Sequence, residues 1–115
     1  MNEISVNRLY EFYYDAIERC TSKVILLSDE EIEYNLYEEF DVAAISFLHD
    51  DSLARLLAAG LINEKAMMIS REVRNTWIEL QKINWTTKKI RNEPRWKDLF
   101  ALCDRLLLLL PPPHV

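Results

Sequence analysis

The chain has 115 residues, half of them apolar and 29% charged, which is the composition of one globular domain and excludes a disordered chain. It contains a single glycine, so turns that need a positive φ must be scarce and hairpins are disfavoured. The net charge of −5 conceals an asymmetry, because residues 1–51 hold thirteen acidic side chains against three basic ones, whereas residues 52–115 hold six against eleven. Such an asymmetry points to electrostatic binding or to one half folding on the other.

Apolar residues spaced three and four apart predict two helices in the first half of the chain. The first spans about residues 5–27, with Ser5 as its N-cap. The second begins after Ser28, whose pairing with Glu31 matches the capping-box pattern, and it runs to about His49. The first turn of this second helix is acidic, which the helix dipole favours.

The middle of the chain predicts a short helix followed by a long one. The short helix covers residues 52–59, with Asp51 as its N-cap and Gly60 just past its C-terminus. The long helix covers about residues 64–84 and is capped by Asn63. One further face of this helix mixes basic and apolar side chains apart from the core stripe, namely those of Met67, Arg71, Arg74 and Ile78.

The C-terminal part predicts one more long helix. Residues 84–91 form a connector or a single turn before it, and Asn92 is its predicted N-cap. Pro94 is tolerated in its first turn, and the prolines at 111–113 end it. These elements together predict an all-α fold, an antiparallel bundle of four long helices plus one short helix.

The chain therefore reads as a single helical domain over residues 1–115, with 110–115 as a flexible proline-rich tail. It begins without a basic, apolar signal sequence and has no window of roughly 18 apolar residues, so no signal peptide and no membrane span are predicted, and the cytoplasm is the expected location. Cys20 and Cys103 fall on apolar helical faces and are predicted to be reduced core thiols, with one disulfide as the alternative.

Residues 26–41 are unusually acidic, with seven carboxylates in sixteen positions, and no Lys or Arg occurs from 24 to 54. Three of the seven, Asp29, Glu30 and Glu31, suit the first turn of a helix, where each contributes about 0.3–1 kcal/mol. Capping does not explain the other four. A helical wheel turns several of these acids away from the core, around a tyrosine and an isoleucine.

Apolar anchors surrounded by charge are typical of protein recognition surfaces. The sequence therefore predicts that this outward face binds a basic protein surface, such as a nucleic-acid-binding site that must neutralise phosphates. The predicted partner-binding residues are Glu30, Glu31, Tyr34, Tyr37, Glu38, Asp41 and Ile45. The alternatives are pairing of the acidic face with the basic C-terminal half and simple solvation.

The catalytic, metal-binding and nucleic-acid-binding patterns in the sequence give weaker predictions. The sequence shows no Ser-His-Asp set, phosphate loop or Cys-His pair, so no catalytic residues and no cofactor are predicted. The HDD triplet at 49–51 lacks the three or four ligands of a metal site. Residues 82–97 combine six basic side chains with Trp85 and Trp96, which favours a solvated connector and leaves single-stranded nucleic-acid binding as an alternative.

Three stretches resemble small acidic all-helical immunity proteins of bacterial polymorphic-toxin and contact-dependent growth inhibition systems. They are SDEEIEYNLYEEFD, LLAAGLINEKAMMISREVRNTWIEL and NEPRWKDLFALCDRLL, about half of the chain. The resemblance implies a cytoplasmic protein that binds one cognate toxin domain, often a nuclease, and blocks its active site or substrate path. It carries over no catalytic residues. A salt-dependent self-associating scaffold and a small nucleic-acid binder remain the alternatives.

Overall fold

The computed structural model describes residues 4–83 and 85–113, and in these ranges it confirms the all-α class, since the regular elements there are helical and no strand occurs. The helices are α1 (Val6–Arg19), α2 (consecutive segments Asp29–Glu33, Tyr34–Phe40 and Asp41–Ser46), α3 (Asp50–Ala58), α4 (Glu64–Leu80), α5 (Thr87–Asn92) and α6 (Pro94–Leu107). Four of them are long, as predicted, and α5 adds a second short helix. Helix α6 packs against α1, α4 and α5, and α1 also packs against α2 and α3.

Local capping chemistry sets three of the helix starts as the sequence predicts. The Ser5 hydroxyl accepts from the Arg8 N–H at 3.1 Å. The Ser28 hydroxyl accepts from the Glu31 N–H at 3.2 Å and donates to the Glu31 carboxylate at 3.0 Å. The Ser28 hydroxyl thus makes both contacts of the capping box, one to the Glu31 N–H and one to the Glu31 carboxylate. The Asn63 side chain accepts from the N–H of the third residue of α4 at 2.8 Å.

Helix α1 is shorter than predicted, because the chain leaves it after Arg19 and passes through a 3₁₀ turn at Ser22–Leu26. Thr21 adopts an extended backbone, and its hydroxyl donates to the Glu18 carbonyl at 3.2 Å. The carboxylate of Asp104 on α6 accepts from the Ser22 N–H at 3.0 Å. These side-chain bonds compete with the helical ones and end the helix.

The corner between α2 and α3 also differs from the prediction. Helix α2 ends at Ser46 rather than near His49, and it is His49, not Asp51, that caps α3, since its Nδ1 accepts from the Asp51 N–H at 3.2 Å. The Ser52 hydroxyl donates to the Ser46 carbonyl at 2.7 Å and closes the corner. At the other end of α3, Gly60 has φ +75°, the left-handed conformation predicted there.

The predicted connector contains α5, whose N-cap Thr86 accepts from the Lys89 N–H at 3.1 Å. Helix α4 accordingly ends at Leu80, before the predicted residue 84. Asn92 is the last residue of α5 and does not cap α6, which begins at Pro94 without a side-chain cap. Proline suits this first-turn position because it needs no N–H there.

The described part of the predicted flexible tail contacts the helices at its start, while Pro111 and Pro112 are exposed. Leu110 is buried, and the Tyr10 hydroxyl donates to the Pro111 carbonyl at 2.6 Å, which ties this end of the chain to α1. Residues 114 and 115 lie outside the described residues. Cys20 and Cys103 are both buried and free, as predicted, and burial raises the pKa of the Cys20 thiol.

Candidate partner-binding face of α2

Helix α2 widens into a π-helix at Tyr34–Phe40, between two α-helical segments. The Asp41 N–H bonds to the Leu36 carbonyl, five residues back, as the wider turn requires. Side chains five apart can then meet, and the Tyr34 hydroxyl donates to the Glu39 carboxylate at 2.8 Å. Short π segments inside α-helices occur frequently at functional sites, so this part of α2 is a natural place to look for one.

The wider turn changes which side chains face the core. Tyr37, predicted at the border of the outward face, lies instead on the inner side of α2. Its ring stacks on Trp85 with centroids 3.8 Å apart and planes 10° apart, and it lies 5.4 Å from the ring of Trp77. Burial raises the pKa of the Tyr37 phenol. Tyr37 is therefore a half-buried packing residue, and its predicted role in binding stays a prediction that competes with this structural one.

Asp41 is also engaged within the protein. Its Oδ1 accepts from the indole N–H of Trp77 at 2.9 Å, and the carboxylate is half-buried. Because Trp77 is itself buried, a substitution that removed this acceptor would leave a buried donor unpaired. The predicted binding role of Asp41 therefore competes with a structural one.

The outer side of α2 carries an exposed row, which we call the α2 ridge and define as Tyr34, Glu38, Val42 and Ile45. Tyr34 is 47% exposed, Val42 60% and Ile45 71%, which is high for apolar side chains. The sequence prediction omitted Val42, although its spacing of four from Glu38 and three from Ile45 is the helical signal that marks it. Glu30 and Glu31 lie exposed on the first turn, and the Glu31 carboxylate accepts from Ser28.

Basic side chains cover both ends of the acidic region, by which we mean the stretch from Asp29 at the start of α2 to Asp50 at the start of α3. Arg91 of α5 pairs with Asp29 and donates to the Leu27 carbonyl at 2.8 Å. Arg74 of α4 pairs with Asp50 at 2.8 Å, and Arg71 does so at 3.3 Å. The guanidinium groups hold the pKa values of Asp29 and Asp50 below the usual range of a carboxyl group. At these ends the predicted alternative, pairing with the basic half, is what the structure shows.

The middle of the region is different. Glu30, Glu33 and Glu38 are exposed, and none makes an ion pair within 4.0 Å to any residue that the structure describes. Arg19 of α1 reaches the edge of this surface, but its guanidinium bonds to Asp15 at 2.9 Å and to Asn35 at 2.8 Å. The carboxylates of Glu30, Glu33 and Glu38 thus face solvent without an ion pair to the part of the chain that the structure describes.

Grooves run along both sides of the α2 ridge. The α1/α2 groove has a volume of about 320 Å³ and is lined by Phe12, Glu38, Val42 and Phe47, among others. The α2/α4 groove has a volume of about 330 Å³, with Ile45 on one wall and Ile78 on the other. Arg74 and Ile78, two members of the mixed face predicted on α4, therefore lie beside the acidic helix.

The alternative site at residues 82–97 keeps little of its aromatic surface in the structure. Trp96 is fully buried, and one ring face of Trp85 is stacked on Tyr37, so both are partly or wholly withdrawn from the base stacking that single-strand binding requires. Arg91, one of its basic residues, is bonded to the Leu27 carbonyl and to Asp29.

Residues 4–83 and 85–113 contain no group of three or more His, Cys, Asp or Glu side chains placed to hold a metal ion. Across the same ranges, no helix has both the length and the apolar character needed to cross a membrane. Comparison of the chain with protein-family models, curated proteins and solved structures found no match.

Proposed function

We propose that this protein is an immunity protein, which binds a basic toxin domain of nuclease type in the cytoplasm and occludes its active site with the α2 ridge and the acids beside it. The observation that supports the proposal most is the set of exposed carboxylates of Glu30, Glu33 and Glu38, which form no ion pair with any described residue and lie next to the exposed Tyr34, Val42 and Ile45. The resemblance of three sequence stretches to such immunity proteins also supports it.

The chemistry of the two surfaces would match. A nuclease has to neutralise phosphates, so its substrate path is basic, and carboxylates held on a rigid helix can occupy the places of phosphates. Opposite charge speeds the encounter, while buried tyrosine and aliphatic anchors hold the complex together. A surface that combined carboxylates without such anchors would steer a partner but would retain it poorly.

The test is co-expression of this chain with the toxin domain encoded beside its gene, with cell growth as the readout. We expect the parent to restore growth and Glu33→Lys with Glu38→Lys to fail, with affinity reduced by about 2–5 kcal/mol. The matched control reverses two exposed acids on other helices, Glu72→Lys with Asp98→Lys, and should protect as the parent does. If the folded Glu33/Glu38 variant protects as well as the parent, the proposed interface is wrong.

Salt-dependent self-association is the second candidate function. It is supported by exposed basic side chains of the C-terminal half, Lys65, Lys97 and Arg105, none of which has an ion-pair partner among the described residues. Sedimentation at about 0.05 M and about 0.5 M salt separates the candidates, because charge pairing between copies weakens as salt screens it. A dimer at low salt that dissociates at high salt favours self-association, and a monomer at both excludes it.

A further inference from the structure

We propose that the α1/α2 groove is a binding site for an arginine side chain of the partner protein. The inference rests on the proposed function in that the partner is a basic protein, and it goes further by naming the side chain and the place that receives it. Three features of the groove carry it: an apolar floor, an excess of carboxylates at the rim, and an arginine of this chain held by the same combination nearby.

The floor of the groove is apolar. The rings of Phe12 and Phe47 stack with centroids 5.2 Å apart, and the buried Ala16 and Ala43 lie between α1 and α2 in the lining. Val42 of the α2 ridge stands exposed at the side of the groove. A surface of this kind suits the methylene stem of a long basic side chain, which buries its carbon atoms and leaves its charge at the edge.

The rim is negative. Asp15, Glu38 and Glu39 line the groove against a single lining cation, Arg19. Arg19 donates to Asp15 and Asn35 and lies 5.9 Å from the ring centroid of Tyr34, whose hydroxyl donates to Glu39.

Glu38 is the rim carboxylate with neither a hydrogen bond nor an ion pair to any described residue. A guanidinium has five donors in a planar array, so it can bond to Glu38 and still share Glu39 or Asp15, which an ammonium group does less well.

The chain already binds one of its own arginines in this way. The guanidinium of Arg8 lies 4.9 Å from the ring centroid of Phe12 and bonds to the Glu11 carboxylate at 3.2 Å. A ring and a carboxylate beside α1 therefore hold a guanidinium just outside the groove. Inside the groove the same kinds of group are present, and the structure places no arginine against Glu38.

The α2/α4 groove does not fit the same ligand. Its carboxylate, Asp41, is bonded to Trp77, and its walls include the guanidinium of Arg74. The one lining carboxylate is thus matched by one lining guanidinium, so the α2/α4 groove has no excess of negative charge to attract a further arginine. The difference between the two grooves makes the expected binding position specific.

The experiment is a titration of the ¹⁵N-labelled protein with N-acetyl-arginine amide, followed by amide chemical shifts. The control ligand is N-acetyl-citrulline amide, which has nearly the same shape and no charge. We expect saturable shifts confined to residues around the α1/α2 groove and an affinity about tenfold lower for citrulline. Equal affinity for the two ligands, or shifts that do not saturate, would overturn the proposal.

A pair of variants checks the position. Glu38→Gln should weaken arginine amide binding severalfold, whereas Glu33→Gln, an equal charge change on the same helix outside the groove lining, should leave it unchanged. If the two variants bind arginine amide equally, the groove site is wrong.

The titration needs no toxin, so its outcome is separate from that of the proposed function. If the protein binds arginine amide but neutralises no toxin, the groove site is supported and the proposed function is contradicted. If toxin neutralisation depends on Glu33 and Glu38 but the protein does not bind arginine amide, the proposed function is supported and the groove site is contradicted.

Discussion

The ends and the middle of the acidic region behave differently, although the sequence makes them look alike. At the ends, Asp29 and Asp50 are held by Arg91 and Arg74 from the basic half of the chain. In the middle, Glu33 and Glu38 have no basic neighbour within 4.0 Å among the described residues. The acidic side chains of this region therefore fall into two groups. Those at the ends form ion pairs that hold the helices together, and those in the middle form an exposed charged surface.

The backbone explains where the arginines go. Arg91 donates to the Leu27 carbonyl at 2.8 Å, and Arg74 donates to the Leu48 carbonyl at 3.0 Å. Both carbonyls lie just outside α2, where no helical N–H is available to them. Inside the helix the carbonyls are already bonded, so an arginine placed over Glu33 or Glu38 would gain a weak surface ion pair and little else.

The largest expected effect comes from the inner side of the middle segment. Tyr37→Ala should lower the free energy of unfolding by about 3 kcal/mol, because it removes the ring that stacks on Trp85 and packs near Trp77. Urea unfolding followed by tryptophan fluorescence measures this directly.

The matched control for Tyr37 keeps the ring. Tyr37→Phe should stay within about 1 kcal/mol of the parent. If Tyr37→Ala instead kept its stability and lost only protection against the toxin, Tyr37 would belong to the open surface, and the division between an inner and an outer side of α2 would fail.

The next effect belongs to an end of the region. Arg91→Met keeps most of the side-chain length but loses the bonds to the Leu27 carbonyl and to Asp29, so it should cost about 1.5–3 kcal/mol in urea unfolding. Arg95→Met is the control, since Arg95 is 62% exposed and pairs with Glu93 on the surface, and it should cost no more than about 0.5 kcal/mol. Equal costs for the two substitutions would mean that the ends are no better anchored than the surface.

Local chemistry made much of the fold predictable from the sequence. Ser5, Ser28 and Asn63 cap helices through atoms three residues away, and Gly60 takes the left-handed conformation that its position requires. The end of α1 was not predictable in this way. The Asp104 carboxylate that accepts from the Ser22 N–H comes from 82 residues further along the chain.

In the candidate site, too, the features set by local sequence spacing were predictable, and those set by contacts between distant residues were not. A wheel of 3.6 residues per turn turns Tyr34, Glu38 and Ile45 outward, and their exposure agrees with it, while their role in binding stays a prediction. The wheel misplaces Tyr37, because the π segment has more residues per turn than the 3.6 that the wheel assumes. The hydrogen bond between Trp77 and Asp41 joins two residues that are 36 apart in the sequence and lie on different helices, so no local sequence pattern predicts it.

The smallest expected effect is a pH dependence confined to the ends. The pKa values of Asp29 and Asp50 are lower in the folded protein because arginines stabilise the charged carboxylates. The folded state therefore binds fewer protons than the unfolded state, whose Asp pKa is about 3.9. The stability that these pairs supply is complete above that value and is lost as the pH falls through the folded pKa values.

The urea midpoint should therefore fall between about pH 5 and about pH 2, and it should fall less in Asp29→Asn with Asp50→Asn than in the parent. Glu33→Gln with Glu38→Gln removes the same number of charges from the middle, where neither side chain forms an ion pair with any described residue. That control should lose stability over the acid range as the parent does. If the two double variants lose it equally, the arginines at the ends do not couple to folding, and the contrast between ends and middle is one of position without energetic consequence.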